Sequence, residues 1–164
     1  MKGKITLMTL FATLLIVLAG CEPKPQPIQF GSDQGDYCRM MITEPQFASQ
    51  ILNNQGRSFK FDSIECMAAY ALTADEPDNI HSHWVPNFEN PDEWLRAEDA
   101  YFLHSETLRS PMGLYLTAYA DQETAEEYRQ EYRGEIVSWN EVKEIVQTEW
   151  LADNGNRQQM DEQQ

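Results

Sequence analysis

The sequence predicts an α+β fold made of two ββαβ units packed together, and three observations lead there. Asn53-Asn54-Gln55-Gly56, residues that tolerate positive φ, separate two short apolar-bearing runs, Gln46 to Leu52 and Arg57 to Phe61, which reads as a hairpin. Ile64, Met67, Ala68, Ala71 and Leu72 then fall at i, i+3, i+4, i+7 and i+8, the apolar stripe of a helix from about Ser63 to Thr73. The same order of strand, turn, strand, helix and strand signals recurs in the second half of the chain.

Taken from its start, the chain carries Lys2 and Lys4, an apolar run from Ile5 to Leu18, and the ending Leu18-Ala19-Gly20-Cys21. That is the pattern of a secretory signal over residues 1–20, too short for a lasting membrane span. The ending resembles a bacterial lipobox, which implies cleavage before Cys21 and lipid attachment to its sulfur. Each buried methylene of such a lipid contributes about 0.8 kcal/mol, so a lipidated Cys21 is expected to tether the protein to a bacterial membrane on its extracytoplasmic side. Residues 21–27 alternate proline with polar side chains and form a semi-rigid extended spacer. The folded part is expected over 28–147, roughly 120 residues and enough for one compact domain or two small units. Residues 148–164 read as a polar tail, Gln-rich and without apolar periodicity from Ala152 onward.

Lys and Arg number 12 against 27 Asp and Glu, a net charge of -15. Loss of Lys2 and Lys4 with the signal, and of no acid, would take it to -17. Nucleic acid is thereby excluded as a partner. The acidity suits a solvated surface, and it would steer cations toward the protein.

Within the first unit, 28–90, Asp62 with Glu65 three residues on is the expected N-cap of the helix, and Pro77 and Asn79 end it before a strand from His81 to Phe88. The second unit, 91–147, opens with a strand from Ala100 to His104. It turns through Ser110-Pro111-Met112-Gly113 into a strand from Leu114 to Ala120. Asp121 caps a helix running to about Arg133, with Ala125, Tyr128 and Tyr132 facing inward, and Gly134 stops it before a strand from Glu135 to Trp139. Asn140 is expected to cap a last short helix, Glu141 to Gln147.

The chemistry-bearing stretch is Tyr37-Cys38-Arg39-Met40-Met41-Ile42. If it is extended, Cys38 and Met40 share a face and Met41 points away, giving a thiol and a thioether that select a soft ion, above all Cu(I). The competing reading is a buried cysteine beside gap-filling methionines. Cys66, in the first turn of a helix where the dipole favours a thiolate, is open to three readings: a further metal ligand, a disulfide partner of Cys38, or a buried free thiol. Its neighbour Met67 lies on the apolar stripe. His81 and His83 share a strand face, and His83 is a candidate nitrogen ligand. Met112, in the turn of the second unit, is a candidate distal thioether, while His104 stands alone. The chain has no Ser-His-Asp order, phosphate loop or HExxH motif, and Glu126 and Glu127 read as a solvated helix face. An enzyme is not expected.

The lipobox, Tyr37-Cys38-x-Met40, Phe61-Asp62-x-Ile64 and Ser110-Pro111-Met112-Gly113, in that order, resemble the NosL family, lipoproteins accessory to nitrous oxide reductase. The likeness spans Tyr37 to Trp139. It implies a Cu(I)-binding copper-delivery protein of two ββαβ units, similar to the metal-binding part of organomercurial lyase. It further implies Cys38 and Met40 as matched ligands, and copper-receiving maturation proteins or nitrous oxide reductase as partners. Arg39 departs from the pattern, where glycine is expected. The alternative is a tethered structural or binding module stapled by a Cys38-Cys66 disulfide.

Overall fold

The computed structural model describes residues 23–152. The signal segment, Cys21 and the tail from Asp153 on lie outside the described residues. Two small antiparallel sheets carry the chain. Strands β1 (Ser49–Asn53), β2 (Ser58–Phe61), β3 (Ile80–Asn87) and β4 (Asn90–Arg96) form the first, in the order β2-β1-β3-β4. Strands β5 (Tyr101–His104), β6 (Leu116–Tyr119) and β7 (Glu135–Val137) form the second, in the order β6-β5-β7. Helix α1 (Ile64–Thr73) connects β2 to β3, and α2 (Gln122–Tyr132) connects β6 to β7.

In both units the first strand lies in the middle, its partner before the helix on one side and its partner after the helix on the other. This is the repeated ββαβ plan. β4 is an addition to it, pairing with β3 through Val85↔Leu95 and Trp84↔Arg96. Its sequence, Asn-Pro-Asp-Glu-Trp-Leu-Arg, hides it, because a proline and charged residues belong on an exposed edge strand that has no alternating apolar pattern to display.

One core serves both units. Ile51, Phe61, Ile64, Met67 and Val85 from the first pack in the same cluster as Phe102, Leu116, Ala118 and Trp139 from the second. The period of two along a strand explains how the second sheet stands between two layers. Phe102, Leu116 and Ala118 face that shared core, while Leu103 and Tyr119 face Ala125 and Tyr128 of α2. Gly134 permits the turn from α2 into β7. Its φ is +118°, and a Cβ there would lie 2.2 Å from the carbonyl oxygen of His104, on the strand that β7 pairs with.

Several element boundaries differ from the sequence reading. Ser63, not Asp62, caps α1, accepting from the backbone N–H of Cys66. Ser138, not Asn140, caps the last helix α3 (Trp139–Ile145), in a capping box with Glu141. β7 accordingly stops at Val137, and Trp139 turns from strand to helix. The fold also begins before Ile28: Gln50, buried in β1, holds the backbone of Gln26 at both its N–H and its carbonyl.

The chain does not end its structure at Gln147. α3 widens into a π-helical turn, Val146–Leu151, and Trp150 and Leu151 pack against the main core, with the Trp150 ring 6.0 Å from that of Tyr37. The polar residues around this pair mask it in a sequence read by average polarity. Trp150→Ala is expected to destabilise the protein by about 1–2 kcal/mol, the scale of exposing a partly buried aromatic. Truncation after Gln147 should cost at least as much, measured as a lowered thermal midpoint by circular dichroism. An unchanged midpoint for both would show that this turn contributes nothing to the fold.

Candidate metal centre

The segment carrying Cys38 is a tight loop, not a strand. Gln34 and Met41 form an isolated antiparallel bridge, and between them the Gly35 N–H donates to the Met40 carbonyl at 2.8 Å and the Arg39 N–H to the Gly35 carbonyl at 3.1 Å. Arg39 takes a φ of +62°. That left-handed conformation is the one glycine adopts without penalty, which accounts physically for the glycine expected at this place; arginine holds it at some cost. The expected alternation of Cys38 and Met40 on one strand face does not apply.

The loop is fastened to the edge of the first sheet. The Asp36 N–H donates to the Lys60 carbonyl, and the Lys60 N–H returns a bond to Asp36 Oδ2, each at 2.7 Å. Lys60 Nζ reaches Asp33 at 2.6 Å, and that ion pair holds the Asp33 carboxyl below the usual range. Tyr37 is clamped from the other side by Trp150. Cys38 is therefore delivered against the end of β2 and the start of α1.

There it meets two residues spaced four apart. The Cys38 thiol donates to Asp62 Oδ1 at 3.1 Å. One ligand atom from each of Cys38, Asp62 and Cys66 lies within 4.8 Å of both others. Gly35 lies close under the thiol: a Cβ there would sit 3.3 Å from the Cys38 sulfur and 3.6 Å from the Asp62 nitrogen, so a side chain would press the sulfur aside by a few tenths of an ångström. Cys38 and Cys66 are both free thiols, Cys38 partly exposed and Cys66 wholly buried.

Helix position was expected to favour a Cys66 thiolate. Burial overrides it. Burial first, and then the negative charge of Asp62, push the Cys66 thiol well up. Burial likewise pushes Cys38 up, against a lowering bond from the Met40 N–H. Without a metal both sulfurs carry their protons.

Asp62 is the candidate ligand that the sequence does not single out, since its place before the helix reads as a cap. The signal was present: Ser63, one residue later, is equally able to cap, which frees Asp62 to turn toward the thiols. Its side chain is almost fully buried, and its Oδ2 has no hydrogen-bond partner among the described residues. A buried carboxylate oxygen left unpaired is costly, and a cation between it and the sulfurs would offset that cost. The donor set fits a soft ion. A thiolate bonds a metal at about 2.3 Å, so two such bonds in line span about 4.6 Å, inside the 4.8 Å bound on these separations.

The other candidates are placed differently. Met40 is 50 % exposed, and its backbone N–H lies 3.4 Å from the Cys38 sulfur. Met112 packs partly buried against the main core, in a turn that Glu65 draws onto α1. Glu65 Oε1 accepts from the Ser110 hydroxyl and from the Leu114 N–H, joining the two units beside Cys66. Burial pushes the Glu65 carboxyl up. His83 is not brought to the thiols: its Nδ1 faces Glu98 at 2.7 Å and its ring lies 5.2 Å from that of Trp139.

The NosL family model matches residues 27–146. No curated protein sequence matches the chain. Among solved structures, the crystal structure of the copper chaperone NosL from Shewanella denitrificans superposes with a TM-score of 0.65 at 17 % identity, covering 73 % of this chain and 96 % of that one. Identity that low speaks to the shared fold.

Glu65→Ala should destabilise the protein by about 1–3 kcal/mol, because it strands the buried Ser110 hydroxyl and Leu114 N–H between the units. Denaturant unfolding tests this, and a midpoint equal to that of the parent protein would mean that the contact between the units does not depend on Glu65.

Proposed function

The chain belongs to the NosL family, and on that footing we propose that it binds Cu(I) at the centre built on Cys38 and passes the ion to an acceptor. The observation that carries this reading is the meeting of two free thiols and a buried, half-unpaired carboxylate at the first turn of α1. Thiolate sulfur selects Cu(I) over the hard cations that an acidic surface attracts without specificity. Copper is cargo here, so the protein is a carrier and not a catalyst. A crystal structure with the same fold is that of a copper chaperone, which favours delivery over storage.

The expected acceptors are proteins that mature or constitute nitrous oxide reductase. The signal-like start and Cys21 support a lipid-anchored protein facing the extracytoplasmic side of a bacterial membrane. Among the described residues no helix is long and apolar enough to cross a membrane.

Cys38→Ser should abolish high-affinity Cu(I) binding, measured by competition with a Cu(I)-specific chelator under anaerobic, reducing conditions. Asp62→Asn should weaken it by roughly 10–100-fold, the cost of losing a supporting group at a metal site. A free-thiol count on the purified protein tests the stapled alternative, which needs Cys38 blocked. Cu(I) binding by Cys38→Ser as tight as that of the parent would move the site elsewhere and remove the chemical basis of this function.

A further inference from the structure

Sulfur occurs at three depths around this centre. Met40 is 50 % exposed, Cys38 is partly buried, and Cys66 is 0 % exposed. The backbone of Met40 touches the Cys38 sulfur, and Cys38 in turn shares the compact group with Asp62 and Cys66. At the buried end, Asp62 Oδ2 lacks a partner among the described residues. A single-position site of Cys38 and Met40 would leave both the inner thiol and that oxygen without a task.

From this gradation, and resting on the copper reading above, we infer that the ion occupies two positions that share Cys38. The outer one pairs Cys38 with Met40 and is where copper is exchanged. The inner one pairs Cys38 with Cys66 and is where copper is held. Entry at the outer position breaks the Cys38 S–H bond, forms a Cu–S bond there, and takes a lone pair from the Met40 thioether with no proton lost from it. The inward step breaks the Met40 Cu–S contact and the Cys66 S–H bond and forms a Cu–S bond to Cys66. Each released proton passes to water, and copper remains Cu(I) throughout.

The inner position is the tighter one for two physical reasons. An anionic thiolate replaces a neutral thioether as donor. The Asp62 carboxylate then stands close to the ion in surroundings from which water is excluded, where its attraction is least screened. Stepping outward returns the ion to an exposed thioether, which an incoming sulfur or nitrogen of an acceptor displaces more easily than a buried thiolate.

The test uses the purified full chain loaded with Cu(I), with equilibrium competition against a Cu(I)-specific chelator, stopped-flow withdrawal of copper by the same chelator, and X-ray absorption to count sulfur ligands. Met40→Ala, an exposed change that leaves packing alone, should keep two sulfurs on copper while slowing withdrawal. Cys66→Ala and Cys66→Ser should each lower affinity by more than the roughly 10–100-fold that a supporting group is worth, and speed withdrawal. Circular dichroism identifies any Cys66 variant that fails to fold, and the Met40→Ala sulfur count decides the matter without them. One sulfur in Met40→Ala, or parent affinity in folded Cys66→Ala, would overturn the inner position. Failure of the copper reading looks different: the parent protein itself would not compete with the chelator.

Discussion

The first turn of α1 sets the terms for the rest of this protein. Ser63 caps the helix, and because a single hydroxyl satisfies the buried N–H of Cys66, its polar neighbours are free to act elsewhere. Asp62 turns back to the Cys38 thiol, and Glu65 turns across to Ser110 and Leu114 of the second unit. One helical turn thereby anchors the loop that carries the candidate metal centre and the contact that joins the two ββαβ units. Both carboxylates are buried, so each has to find a partner inside the protein.

The centre is also held from outside that turn. Gly35 lies close under the thiol, the Asp36 and Lys60 backbones fix the loop to the edge of the first sheet, and Trp150 braces Tyr37 from the far end of the chain. These supports come from segments more than a hundred residues apart in sequence order, from Gly35 to Trp150. The fold brings them together because both units contribute to one core, so the C-terminal turn packs against the same cluster as β1 and α1. The thiol at the surface is positioned by rigid elements, while the exposed Met40 beside it remains accessible.

The charge of the chain bears on a different link. A net charge of -15 raises the local concentration of any cation, copper included, and discriminates among cations hardly at all. Selection for a soft ion would fall to the sulfur atoms. The two features work at separate distances, the surface field over several ångströms of water and the thiolates only at bonding range.

The sequence by itself determined the class of the fold, the strands of both repeats and the two principal helices, and it singled out Cys38 as a candidate, because apolar periodicity, turn residues and a soft-ligand pair are local signals. Edge strand β4 was not legible, since an exposed strand with Pro91 and Asp92 has no alternating pattern to reveal it. The docking of Trp150 was equally hidden, because its value lies in a contact with Tyr37 far away in the chain. At the metal centre the sequence offered Cys66 in three guises and assigned Asp62 to a cap. Only the tertiary structure decided that Asp62 and the two thiols converge, because the choice between Asp62 and Ser63 as cap depends on what each side chain finds beyond the helix. It likewise decided that burial, and not the helix dipole, governs the Cys66 thiol, since no local pattern reports how much water a packed core removes.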